Sequence, residues 1–135
     1  MIRVLTIDGN RRRAHALALE CLEQGVAVRV AETLCEGARY LLEAPVSLVL
    51  AEASMLRMAS ADQARLFDTV APGVPVLLTV DAGGPVEDLV DLELKGFHVV
   101  SHPFVLRDVI AKIELPAKTT PSRRGARARV EAVCG

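Results

Sequence analysis

Four residues able to hold a cation or a phosphate group stand at the ends of short apolar runs. Asp8 follows Val4-Leu5-Thr6-Ile7, Glu52 follows Ser47-Leu48-Val49-Leu50-Ala51, Thr79 ends Val74-Pro75-Val76-Leu77-Leu78, and His102 follows Val99-Val100-Ser101. The carboxylates of Asp8 and Glu52 are hard oxygen donors of the kind a weak divalent site uses, with Asp81 just past Thr79 as a third candidate. Asp81 is more simply a loop acid. Thr79 adds a hydroxyl, and His102 adds an imidazole whose unperturbed pKa of ~6.5 leaves it mostly neutral at neutral pH. The plainer reading of the same residues is two strand-end acids in water and a threonine that satisfies a backbone group.

The elements that must position them alternate. Short β-branched runs near 2–7, 26–31, 46–52, 74–79 and 97–101 alternate with helical patterns, which predicts a parallel sheet covered by helices on both faces. The third and fourth runs are continuously apolar, as strands buried on both faces are, and belong at the centre of the sheet. A first helix over about 11–24 buries Ala14, Leu17, Ala18, Cys21 and Leu22, is capped by Asn10 and stops at Gly25. Thr33 with Glu36 and Ser60 with Gln63 have capping-box spacing for the next two helices. Pro85 suits the first position of a fourth helix ahead of Val86, Leu89 and Val90, and Leu106, Val109, Ile110 and Ile113 form the stripe of a fifth. The expected architecture is an α/β, (βα)5 flavodoxin-like three-layer sandwich. Ligands of such sheets sit outside the carboxyl ends of the strands, where Asp8, Glu52, Thr79 and His102 all map.

Four segments in order carry a resemblance: Val4-Leu5-Thr6-Ile7-Asp8-Gly9, Ser47 to Met55, Val74 to Thr79, and Ser101-His102-Pro103-Phe104. Together they resemble the receiver domain of bacterial two-component response regulators over about residues 2–114. The resemblance implies a five-stranded parallel sheet in the order 2-1-3-4-5 and a phosphoacceptor pocket formed by Asp8, Gly9, Glu52, Thr79, His102 and Pro103. Three of five signature groups are changed: Gly9 replaces the second acid of the pair, Glu52 the acceptor aspartate, and His102 the lysine of the Lys-Pro-Phe corner. Leu56 stands for the usual proline, and Val99 takes the place of the switching aromatic. His102-Pro103 resembles a step that receivers hold as a cis peptide, and cis is expected there.

In that family two acids and the acceptor hold Mg²⁺, which neutralises charge during in-line phosphoryl transfer. Gly9 removes one oxygen ligand, and the extra methylene of Glu52 moves its carboxylate by about 1.5 Å, a bond length. Mg²⁺ binding is therefore not expected, nor any other cofactor. Three accounts of the pocket stay open: plain drift, a permanent negative charge on Glu52 like that of a phosphomimetic, and residual cation or phosphate chemistry.

Other features narrow the function classes. A length of 135 residues with 51% hydrophobic content fits one core. Sixteen basic against 17 acidic residues, a net charge of −1, give no bulk attraction to nucleic acid or anionic membrane. No apolar stretch approaches the ~18 residues of a membrane span, and no signal-peptide pattern opens the chain, so the expected compartment is the cytoplasm. Cys21, Cys35 and Cys134 show neither disulfide-framework nor zinc spacing, and Cys21 and Cys35 are expected in the core. His15 and His98 lack ligand spacing and are expected to be structural or solvent-facing. Nucleotide-binding, hydrolase and metalloprotease motifs are absent, which argues against an enzyme. Arg11, Arg12 and Arg13 stand at the positive end of a helix dipole; a solvated basic face is the simpler reading, and an answering anion, Asp8 or Glu52 within the pocket or an acidic partner or phosphate group from outside, the other.

The expected organisation is a receiver-like domain over 1–115 and a basic, Pro- and Arg-rich flexible tail over 116–135 that holds Lys118, Arg123, Arg124, Arg127 and Arg129. The expected function is a degenerate, phosphorylation-independent signalling module that binds a protein partner, a signalling kinase or a downstream effector. Its interaction face, fourth helix to fifth strand to fifth helix, carries Leu92, Leu94 and Val99 and could support a homodimer. The alternatives are a phosphate-accepting receiver with a rearranged Mg²⁺ site, and an adaptor that binds nucleic acid or an acidic partner through the tail.

Overall fold

The computed structural model describes residues 2–81, 86–102, 104, 105, 107, 108 and 111, with 86–88 described by backbone alone. Its elements are β1 (Arg3–Ile7), α1 (Arg11–Glu23), β2 (Ala27–Ala31), α2 (Leu34–Glu43), β3 (Leu48–Glu52), a 3₁₀ turn (Ala53–Met55), α3 (Ser60–Val70), β4 (Val76–Val80), α4 (Val86–Leu94) and β5 (His98–Ser101). The five strands form one parallel sheet in the order β2-β1-β3-β4-β5. This is the predicted α/β topology.

Alternate strand residues feed two cores, as a two-faced sheet requires. Leu5, Ile7, Val49, Ala51 and Leu78 face α2 and α3, while Val4, Leu48, Leu50 and Leu77 face Cys21 of α1. All five residues of β3 are buried, which explains its unbroken apolar run. Gly37 lets α2 lie close to β1, because a Cβ there would come within 2.7 Å of the Ile7 side chain.

Local signals are met unevenly. Asn10 caps α1 by accepting the Arg13 amide, and Gly25 at φ 72° closes it: the Gly25 and Val26 amides donate to the Leu22 and Cys21 carbonyls. Leu22 departs from prediction, lying 72% exposed, because it falls one step beyond the inward stripe that ends at Cys21. Thr33 caps α2 through the Glu36 amide, but the Glu36 carboxylate accepts the Tyr40 hydroxyl instead of returning to the cap. The Ser60 and Gln63 box does not form. Ala59 is the cap residue, Ser60 donates to Asp91 of α4, and the Gln63 amide donates to the Leu56 and Met58 carbonyls, which tie down the loop after β3.

Cys21 is buried, and burial together with nearby Glu20 pushes its thiol pKa up to about 11. Cys35, in the first turn of α2, is half-buried and disulfide-bonded, a correction to its reading as a core residue outside any disulfide. His15 and His98 are exposed, as expected. No helix among the described residues is long and apolar enough to cross a membrane. Pro85, Pro103 with its peptide isomer, Leu106, Val109, Ile110, Ile113, Cys134 and the 116–135 segment lie outside the described residues; Arg107, Asp108 and Ala111 are helical.

Candidate functional site at the carboxyl edge of the sheet

Register brings the candidates together. Ile7 pairs with Ala51 and Glu52 with Thr79, so Asp8, one residue past β1, ends beside Glu52. His102, one residue past β5, is held there by its amide, which donates to the Val80 carbonyl. Asp8, Glu52, Thr79 and His102 line one cleft of about 220 Å³ together with Arg13 and Phe104. Gly9 is exposed and has no side-chain oxygen to contribute; a Cβ at that position would lie 3.3 Å from the Met55 sulfur.

Glu52 is the hub of the cleft. Its side chain is 6% exposed, and one oxygen, Oε2, accepts the Thr79 hydroxyl at 2.6 Å, faces His102 Nε2 at 3.0 Å and lies 3.4 Å from Arg13 Nη2. The Thr79 hydroxyl thus serves the carboxylate first, with the Ala51 carbonyl more distant at 3.4 Å. The His102 ring packs against Phe104 with centroids 5.4 Å apart.

Arg13 is the residue that sequence reasoning underrated. Its Nε and Nη2 donate to the two oxygens of Asp8 at 2.6 and 2.8 Å, a forked pair that a guanidinium makes and an ammonium does not. Arg11 pairs with Glu32 at 2.7 Å. The three arginines are therefore not a uniformly solvated face: Arg13 turns into the cleft, Arg11 answers an acid of the β2–α2 loop, and Arg12 stays exposed. The available signal was helical phase, since Arg13, Leu17 and Glu20, at i, i+4 and i+7, line the same cleft beside the inward stripe. Asp81 is an exposed loop residue whose charge reaches Arg13.

Asp8 and Arg13 perturb each other. Burial pushes the Asp8 carboxyl up, but the Arg13 hydrogen bonds, the Asn10 amide and the charges of Arg13 and His102 outweigh it and leave the pKa lowered. The Asp8 bond raises that of Arg13 against its own desolvation. This is an ion pair held in a partly dry place, worth more than an exposed one.

Comparison with solved structures identifies the architecture. The chain superposes on the chemotaxis protein CheY4 of Vibrio cholerae with a TM-score of 0.72 at 16% identity, covering 84% of this chain and 99% of that one. A response regulator receiver domain protein of Clostridium thermocellum matches over 98% and 99% of the two chains (TM-score 0.69, 16% identity). The non-phosphorylated HemR receiver domain of Leptospira biflexa covers 87% and 99% (TM-score 0.67, 18% identity). The fold is that of a response-regulator receiver domain. No family model and no curated protein sequence matches the chain.

The cleft lies outside the carboxyl ends of the strands, the ligand position of open α/β sheets. The donor set does not fit Mg²⁺, which demands near-octahedral hard oxygens: both bordering carboxylates face one guanidinium, and position 9 supplies no third. Among the described residues, no group of three or more His, Cys, Asp or Glu side chains is placed to hold a metal ion.

Of the receiver-like interaction face, Leu94 is 80% exposed, while Leu92 is half-buried against the core and Val99 half-buried on β5. Leu92 and Val99 are therefore part-covered, Leu92 because it packs against the core below α4. Val90, one turn before Leu94, is 48% exposed.

Proposed function

We propose that this chain is a receiver-like signalling module that acts by protein–protein contact and independently of aspartyl phosphorylation. The observation that carries the reading is the occupancy of Glu52: its Oε2 already accepts the Thr79 hydroxyl and faces His102 and Arg13. In-line phosphoryl transfer needs an acceptor oxygen free to attack and a cation to neutralise the transferring group. Here one of the two carboxylate oxygens, Oε2, is engaged by the chain's own side chains, and the acid where an aspartate is expected is one methylene longer.

The same contacts give the module a fixed state. A receiver threonine that would move on phosphorylation is already drawn to a carboxylate, so the surface it controls has one setting. The partner is a protein, a signalling kinase or a downstream effector, met in the cytoplasm through α4 and β5, where Val90 and Leu94 are exposed. Residues 116–135 serve as a basic, solubilising segment, and the module has no enzymatic activity of its own.

The test is a titration of the full chain with Mg²⁺ and beryllofluoride followed by backbone-amide NMR at Asp8, Glu52, Thr79 and His102. Unmoved resonances support the reading. Saturable shifts would sink it and restore a phosphate-accepting receiver with a rearranged site.

A further inference from the structure

The cation that answers Asp8 and Glu52 belongs to the chain itself. Arg13 lies in the first turn of α1, where Asn10 accepts its amide and the neighbouring Ala14 is buried, so its backbone is fixed. From there its guanidinium spans both oxygens of Asp8 and reaches within 3.4 Å of Glu52 Oε2.

We propose that Arg13 is a tethered counter-cation: it takes the electrostatic place of a divalent ion between the carboxyl ends of β1 and β3, and by occupying that place it keeps such ions out. This rests on the phosphorylation-independent reading and supplies its physical cause. Two carboxylates at the ends of adjacent strands repel each other, the more so because their side chains are only 12% and 6% exposed. One positive group between them removes most of that repulsion. A guanidinium delivered by the protein's own helix is present at high effective concentration and loses no translational freedom on binding. Mg²⁺ from solution must shed tightly held water and displace a forked ion pair to reach the same oxygens.

The surrounding charges agree with this assignment. Arg13 feels Asp8, Glu52 and Asp81, all acidic, and Asp8 feels Arg13 and His102. Asp8, Glu52 and Arg13 together sum to one negative charge, where these two acids alone would carry two. Position 9 is glycine and adds no third carboxylate to this pair.

Removing the tethered cation should therefore create a demand that a divalent ion can meet. The full chain and its Arg13→Met variant would be titrated with Mn²⁺, following paramagnetic broadening of the amides near Asp8 and Glu52, and melted with and without Mg²⁺. The variant is expected to broaden saturably at Mn²⁺ concentrations lower by on the order of tenfold than any response of the native chain. Its melting temperature is expected to rise with Mg²⁺, while that of the native chain stays put. Arg13→Lys, which keeps the charge but loses the fork, should fall between the two.

If Arg13→Met does not fold, the Nε–H resonance of Arg13 in the native chain decides. A proton protected from exchange and unmoved by Mg²⁺ supports the proposal, and one exchanging as freely as an exposed guanidinium overturns it. The two readings fail separately. A beryllofluoride response in the native pocket sinks the functional reading, whereas a silent native pocket with an equally silent Arg13→Met variant overturns the counter-cation alone.

Discussion

Thr79 donates its hydroxyl to Glu52 Oε2 at 2.6 Å, and the two residues are register partners on β3 and β4, both at least nine-tenths buried. The bond is therefore set by the sheet itself and needs no loop to form. Thr79→Val keeps the shape and removes the donor, which leaves a buried carboxylate short of one partner. The expected cost is about 1–3 kcal/mol, read as a lower urea midpoint with an unchanged slope. Thr79→Ser should recover most of it. A Thr79→Val chain as stable as the native one would mean that His102 and Arg13 alone satisfy Glu52.

The lowered pKa of Asp8 makes stability depend on acid in a defined window. A group whose folded-state pKa lies below its unfolded value of ~3.9 contributes stability above that value and loses it as pH falls through the folded-state value. Burial acts in the opposite direction, but Arg13 and the Asn10 amide dominate. Denaturation midpoints should therefore be flat through neutral pH and fall below about pH 4, with a shallower fall in Asp8→Asn over the same range. An identical acid limb in both proteins would remove Asp8 as a contributor.

The sheet was legible in the sequence because its signals are long and redundant. The runs ending at Asp8, Glu52 and Thr79 are buried on both faces, and no helix pattern competes with them. The site was legible in position for the same reason, since parallel strands deliver their terminal residues to one edge. What the residues do to one another was not. That Glu52 gathers Thr79, His102 and Arg13 on a single oxygen depends on rotamers and on the reach of a side chain from α1. The helix caps failed where tertiary contacts competed: Ser60 found Asp91, and Gln63 found two loop carbonyls, at separations that local spacing does not encode.

Gly37 tests the packing of α2 on β1. Its burial and the 2.7 Å approach of an added Cβ to Ile7 mean that Gly37→Ala must push the helix or the side chain away. Alanine would otherwise favour the helix by about 1 kcal/mol, so the sign of the change discriminates. A net loss of roughly 1–3 kcal/mol is expected from overpacking, with recovery in the double variant Gly37→Ala/Ile7→Val. A stabilised Gly37→Ala protein would show that α2 slides without penalty.

Val90 and Leu94 lie one helical turn apart on α4, 48% and 80% exposed, on an element whose other side packs Leu92 against the core. Exposed residues of this kind contribute little to folding, so Leu94→Glu is expected to alter stability by no more than about 0.5 kcal/mol. Its effect should fall on association. Sedimentation velocity over a concentration series is expected to show self-association of the native chain that Leu94→Glu shifts toward monomer, and Val90→Lys should act in the same direction. A native chain monomeric throughout, or variants that sediment identically to it, would remove this stripe as a homodimer face.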